Sequence, residues 1–347
     1  MGCTPSQPSY QQTSTNNNYK RVDTTSGVDM SRKTSNHDMN KDNDSNEVQK
    51  VNKKFENFVK KAIISMETIK SQQNDRTPEG VLTEEFRKAV LSLLQILSFA
   101  IGCTSPIEKS FLLERLTTYN IQYETIEIFC RTCTETLNDI NSKDKSGLAV
   151  EQIESLDTML SYLVNGSDDT PEVCAIIADN AHFLQTLSTI LVSWREPHFN
   201  ETLQQSEVLD LIVTVLHNIA VFDDNVPKLR TANVIESLKP YLDSKDNTVR
   251  LLSLATLADL VNESESEILK SNGDAIEFLM WTISMATETD DRTWDGWSLK
   301  ELARIVRQVA RNDNNKRTVV LHGAVPLLIK LAGSDVIEEQ RESVAAI

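Results

Sequence analysis

Few side chains in this sequence have the types and spacing that catalysis or metal binding requires. Cys130 and Cys133 form a C-x-x-C pair inside an apolar run, but a structural zinc site needs about four ligands. No second cysteine pair and no histidine pair lies nearby, and the sequence has no phosphate-binding loop, dinucleotide-binding glycine motif, zinc-protease motif or nucleophile elbow. We therefore expect a non-enzymatic protein with no metal, cofactor or small-molecule substrate, in which both cysteines are buried helix residues.

The charge distribution argues against nucleic-acid binding. The net charge is −16, and residues 1–50 hold as many basic as acidic side chains, so the whole excess lies in residues 51–347. An acidic body repels phosphate backbones. One basic cluster has roughly the spacing of a helix face, which we interpret as a solvated face or a site for an acidic peptide; it consists of Arg304, Arg307, Arg311, Lys316 and Arg317.

The N-terminus carries a candidate lipidation signal. Gly2 and Ser6 fit the myristoylation pattern M-G-x-x-x-[S/T]. One myristoyl chain anchors a protein only marginally, and Cys3 could supply a palmitoyl thioester as the second anchor. The polar composition of residues 7–50 predicts a disordered segment. We expect residues 1–50 to be an acylated tether at the cytoplasmic face of a membrane; the alternative is a free disordered terminus. No signal peptide or membrane-spanning run is evident.

The remaining chain is repetitive. Near the C-terminus a short helical segment ends at Gly323, which suits the left-handed C-cap position, and an apolar helix opens around Pro326. The same order recurs upstream, each time followed by a longer helix. The ends of three long helices align, at residues 216–220, 257–261 and 306–310. These helix ends are 41 and 49 residues apart, and a repeat of this length predicts a helical solenoid. A polar insertion around residues 287–295 accounts for the longer second spacing.

Residues 315–332, N-K-R-T-V-V-L-H-G-A-V-P-L-L-I-K-L-A, resemble the armadillo repeat consensus. The resemblance implies an all-α, right-handed armadillo-like superhelix; a HEAT-type or irregular helical stack is the alternative. It is clear over residues 207–347, whereas residues 51–200 are predicted to be irregular helices. Stacked repeats share one core, so we expect Leu216, Leu257 and Val325 to be buried in adjacent layers. Because the sequence ends inside an apolar helix, we expect the last repeat to be truncated.

In armadillo proteins of the importin-α and β-catenin types, an Asn near the end of the third helix clamps the backbone of a bound peptide. Asn218 matches that position, and Asp259 and Gln308 stand there in the next two repeats. The resemblance implies that these three side chains form a ladder facing solvent. The Trp found four residues earlier in importin-α is replaced here, which disfavours a nuclear import receptor; the residues at that position are Thr214, Ala255 and Arg304.

The binding surface implied by the ladder has both charges. Arg304 and Arg307 flank its C-terminal end, so we expect a partner with a positive group near Asp259 and an acidic group near the arginines. In the insertion, Trp294 and Trp297 are candidate aromatic anchors for a partner, or else fold back over the solenoid.

A further resemblance concerns residues 296–303, G-W-S-L-K-E-L-A, together with the repeat that follows. These residues look like the armadillo regions of invertebrate proteins that end in a TIR domain. That resemblance implies a regulatory, autoinhibitory half of a TIR-domain signalling or NAD-cleaving protein. Our main expectation is a membrane-tethered scaffold or adaptor that binds other proteins, as an extended peptide or a domain.

Overall fold

The computed structural model describes residues 41–77, 81–142, 150–194, 203–270 and 273–347. The first eight helices are α1 (Lys41–Gln72), α2 (Glu84–Ile101), α3 (Pro106–Gln122), α4 (Thr125–Ser142), α5 (Val150–Ser167), α6 (Pro171–Asp179), α7 (Ala181–Trp194) and α8 (Leu203–Ala220). Seven of these eight helices have 14 residues or more, and α6 has nine.

The second half contains shorter helices and a two-stranded hairpin, whose antiparallel register pairs Trp294 with Trp297. The elements are α9 (Val226–Thr231), α10 (Val234–Leu238), α11 (Asn247–Leu260), α12 (Glu267–Lys270), α13 (Gly273–Ala286), β1 (Thr293–Trp294), β2 (Trp297–Ser298), α14 (Leu299–Ala310), α15 (Asp313–Leu321), α16 (Ala324–Ala332) and α17 (Ile337–Ala346).

The helices stack with a period of three. The third-helix column consists of α2, α5, α8, α11, α14 and α17, and each of these helices packs on the next. A parallel column contains α1, α4, α7 and α10, and is continued by α13 and α16. Each three-helix layer therefore buries its apolar face mainly against its neighbours, as an α-solenoid requires.

The three-helix order begins earlier than the sequence indicated. We predicted irregular helices over residues 51–200, but α1 to α7 follow the same order as the later layers. Between α6 and α7, the turn between the first and second helix of a layer has Asn180 at φ −85°, but in three other layers this turn uses the left-handed conformation. Gly323 supplies it at φ 88°, but Asn233 supplies it at φ 65° and Glu124 at φ 56°. Glycine is the usual residue in this conformation, so a turn built on Glu124 carried no recognisable signal.

The helical domain also starts before the predicted boundary at residue 50, because α1 begins at Lys41. The buried residues of α1 follow helical spacing and face the core; they are Val51, Phe55, Ala62, Met66 and Ile69. The helix continues toward the N-terminus through the mostly polar residues 41–50. The predicted lipidation residues lie outside the described residues, as does the rest of residues 1–40.

Helix α11 is covered on all sides. Every residue from Leu251 to Val261 is buried, whereas a helix on the surface of a solenoid normally keeps one polar, exposed stripe. Asp246 caps its N-terminus by accepting hydrogen bonds from the backbone N–H groups of Thr248 and Val249. Something other than the flanking layers must therefore cover the outward face of α11.

Candidate functional site

Asn218 ties two layers together rather than facing solvent. Its side chain is buried, with 5% of its surface exposed. The amide Nδ2 donates to the backbone oxygen of Val164 at 3.1 Å and to Oγ of Ser167 at 3.0 Å, both at the end of α5. The expected solvent-facing orientation is thus wrong for Asn218, because its donors are already used within the column.

Asp259 is the centre of a buried polar cluster. Nη2 of Arg304 donates to both carboxylate oxygens, at 2.9 and 3.1 Å, and Nε2 of Gln308 donates to Oδ1 at 2.6 Å. Burial raises the pKa of Asp259, and the nearby Arg304 guanidinium opposes this effect. Since the carboxylate is 4% exposed and has its own cation, a partner need not bring a positive group to it.

The flanking arginines are also paired. Arg304 bridges α14 to α11 through Asp259, and Nε of Arg307 lies 2.8 Å from Oε2 of Glu342 on α17. The structure therefore brings Asp259, Arg304 and Gln308 together, leaves Asn218 separate, and turns Arg307 toward the next layer. Partner binding by these residues stays a prediction, while their contacts assign them a structural role between layers.

The insertion folds back over the solenoid. The Trp297 ring is 4% exposed and makes an edge contact with the His217 ring on α8, with centroids 6.0 Å apart. Trp294 is half-buried and contacts Trp281 at 5.9 Å. Arg292 extends from the same insertion to Glu339, with Nε 2.9 Å from Oε1. Of the two alternatives, an aromatic anchor for a partner or folding back over the solenoid, the contacts of Trp297 fit the second.

The insertion joins helices that flank α11. Helix α11 packs between α8 and α14, and Trp297 precedes α14 yet reaches His217 on α8. Together with the burial of every residue from Leu251 to Val261, this leaves no exposed side chain on that part of α11, which is where the sequence predicted a groove on the third-helix column.

The same surface is open nearer the N-terminus, over α2, α5 and α8. We call this the open face, and we define it by exposed or half-buried side chains at helical spacing. Leu91 is a large apolar residue on it, 47% exposed. The residues that define the open face are Lys88, Leu91, Gln95, Glu154, Thr158, Asn165 and Thr214.

Asn165 stands at the position in α5 that corresponds to Asn218 in α8, which the sequence did not reveal. It lies two residues before the end of α5, as Asn218 lies two residues before the end of α8. Asn165 is half-buried, and its Nδ2 donates only to the backbone oxygen of Ser161, at 2.8 Å. The sequence did not point to Asn165 because no clear repeat could be recognised around α5. Residues 143–149, which precede the helix, contain no Gly-Pro turn signal.

A small pocket opens on this face between α2 and α5. Its volume is about 190 Å³. Phe86, Val90 and Met159 are buried residues that form apolar walls, and the rim is mixed in charge. The other lining residues are Glu84, Arg87, Lys88, Leu91, Glu154, Ser155 and Thr158.

A larger cleft of about 430 Å³ lies where α11 and α14 end. Several of its polar groups are engaged within the protein: Arg230 donates to both carboxylate oxygens of Glu265, at 2.7 and 2.8 Å, and to the backbone oxygen of Leu260. Asp259 on its wall is paired with Arg304. These contacts join consecutive layers, so we assign this cleft a structural role.

Three of the four cysteines within the described residues are buried, and Cys103 is half-buried. Cys130 and Cys133 are fully buried, as predicted, and burial raises the pKa of both thiols. Burial also raises the pKa of Cys174, to about 12. Across the described residues no three His, Cys, Asp or Glu side chains converge on a potential metal position. Nor does any helix in that part of the chain combine the length and apolarity needed to cross a membrane.

No family model matches this sequence, and no curated protein matches it. Similar solved structures include a designed armadillo repeat protein, 19% identical, with a TM-score of 0.49, covering 80% of this chain and 96% of that one. Another is a designed armadillo repeat protein in complex with the peptide (KR)4, 20% identical, with a TM-score of 0.47 and coverage of 80% and 96%. An engineered protein solved by a structural genomics consortium is 20% identical, with a TM-score of 0.47 and coverage of 82% and 94%.

The three-helix layers, stacked so that each helix packs on its equivalent in the next layer, decide the fold. The chain is an armadillo-like α-solenoid. The fold class predicted from the sequence is confirmed. The resemblance of this armadillo-like chain to TIR-domain proteins stays a prediction.

Proposed function

We propose that this armadillo-like solenoid is a non-catalytic scaffold that binds a protein partner on its open face. The observation that carries the proposal is the difference along the third-helix column. On α11 every side chain from Leu251 to Val261 is buried, whereas on α2, α5 and α8 some side chains of the column are exposed or half-buried. A partner segment laid across the layers would contact several helices at once, and stacked repeats offer extended surfaces of this kind.

Membrane attachment is the second part of the proposal. Gly2 and Cys3 would carry myristoyl and palmitoyl chains, and two chains together give stable anchoring where one does not. The support is the sequence motif alone, since both residues lie outside the described part of the chain. The scaffold would then act at the cytoplasmic face of a membrane.

Position-specific photo-crosslinking in the cell of origin tests the open face. We would replace Gln95, an exposed residue of the open face that does not line the small pocket, with a photoreactive phenylalanine analogue. Val192 on α7, replaced with the same residue, is the matched control, because it is 51% exposed but lies outside the third-helix column. We expect discrete higher-mass adducts from position 95 and not from position 192. Equal crosslinking from both positions, or none from position 95, would contradict the proposal.

A further inference from the structure

The pocket between α2 and α5 has the features of a site for one side chain. Its volume of about 190 Å³ is below the roughly 300–1,000 Å³ of small-molecule pockets. Phe86, Val90 and Met159 are at most 2% exposed and form its apolar walls. Leu91, at the mouth, leaves nearly half of its apolar surface exposed to water, so an apolar group entering here would cover that surface as well.

The two acidic side chains at the rim of the pocket, Glu84 and Glu154, differ in how many cations lie near them. Glu84 has two cations, with Nη2 of Arg87 at 2.7 Å and Nζ of Lys88 at 3.3 Å. Glu154, on the other side of the pocket, is exposed, and no cation among the described residues lies within ion-pair distance of it. The protein as a whole is strongly acidic, at −16. A positive group beside the apolar one would therefore complement the rim.

We propose that this pocket binds one leucine- or phenylalanine-sized side chain of an extended partner segment, and that a lysine or arginine next to it in that segment pairs with Glu154. This inference rests on the proposed function and specifies how the open face recognises its partner. The apolar side chain supplies most of the affinity, because a buried anchor contributes more than an ion pair at an exposed rim.

The test uses the full-length protein labelled with ¹³C at the methionine methyl groups. Met159 lines the pocket, whereas Met280 on α13 is equally well buried and remote from it. The probe is an acetylated, amidated heptapeptide with Gly-Ser ends, a central leucine and a lysine on either side. We expect it to shift the Met159 methyl resonance saturably and to leave that of Met280 in place.

Matched peptides and variants separate the two contacts. A central serine instead of leucine should weaken binding about 10-fold or more, and glutamates instead of the lysines should weaken it by about 5-fold. Glu154→Lys should reverse the charge preference, so that the glutamate peptide binds better. Thr158→Phe should abolish the Met159 response by filling the pocket, while an unchanged Met280 resonance shows that the fold is intact.

The proposal is overturned if Met159 does not respond to any peptide, if serine and leucine peptides bind alike, or if Glu154→Lys leaves the charge preference unchanged. These failures are distinct from failure of the proposed function. Crosslinking at position 95 together with a silent Met159 would mean that the face binds a partner without this pocket. A Met159 response without crosslinking would support the pocket and contradict the scaffold.

Discussion

Replacing Asp259 with alanine should destabilise the fold strongly, which is the opposite of what a groove-facing carboxylate would do. The carboxylate is 4% exposed and accepts hydrogen bonds from Arg304 and Gln308. Removing one partner of a buried ion pair typically costs about 3–5 kcal/mol, because the other charge is left without compensation. The Arg304 side chain is 18% exposed, and water can therefore hydrate part of it, so we expect about 3 kcal/mol.

The assay is urea denaturation followed by tryptophan fluorescence, since Trp297 contacts the same column and the loss should be greatest in the neighbouring layers. The double variant Asp259→Ala with Arg304→Met should lose less stability than the sum of the single variants, by about 2 kcal/mol, because it leaves no unpaired charge. Glu277→Ala, at an exposed position on α13, is the control and should change stability by no more than about 0.5 kcal/mol.

The pH dependence adds a separate check. Because burial raises the pKa of Asp259 in the folded state above the ordinary value of 3.8, the stability associated with its protonation is present at low pH and is lost as the pH rises through the folded-state pKa. The free energy of unfolding of the wild-type protein, relative to that of Asp259→Asn, should therefore fall as the pH rises from about 3.8 through the folded-state pKa of Asp259. If Asp259→Ala unfolds within about 0.5 kcal/mol of the wild type, the carboxylate faces solvent and the buried cluster is refuted.

Three further predictions concern other parts of the chain. Gly323→Ala should cost about 1–2 kcal/mol from backbone strain alone, since φ is 88° and the added methyl group meets nothing within 4 Å; Gly333→Ala, at φ −93°, should not destabilise in the same thermal melts. A thiol reagent applied to the native protein should modify Cys103, which is half-buried, and should reach Cys130 only after unfolding; mass spectrometry of the labelled peptides checks this, and early labelling of Cys130 would contradict its burial. Gly2→Ala should move the protein from membranes to the soluble fraction, and unchanged fractionation would remove the tether from the proposal.

Most of the fold could be predicted because it depends on local signals. Gly323 and Pro326 marked the last turn, and apolar spacing identified core residues in adjacent layers: Leu216 and Leu257 are fully buried. Val325 was expected to be buried too, but it is 39% exposed. It belongs to the last described layer, where no further layer packs against it. Burial in a solenoid is thus a property of a residue's neighbours as well as of its own repeat.

The candidate site was harder to predict, because spacing identifies the face of a helix but not what covers that face. Asp259 stands where peptide-binding armadillo proteins have Asn, and Arg304 stands where importin-α has Trp. Taken alone, each of these two substitutions relative to the armadillo pattern indicates the loss of a peptide-binding residue. In the folded chain the two side chains, 45 positions apart, form one ion pair. The two substitutions therefore compensate each other: the carboxylate that replaces the Asn is neutralised by the arginine that replaces the Trp, and the pair joins α11 to α14 instead of facing a partner.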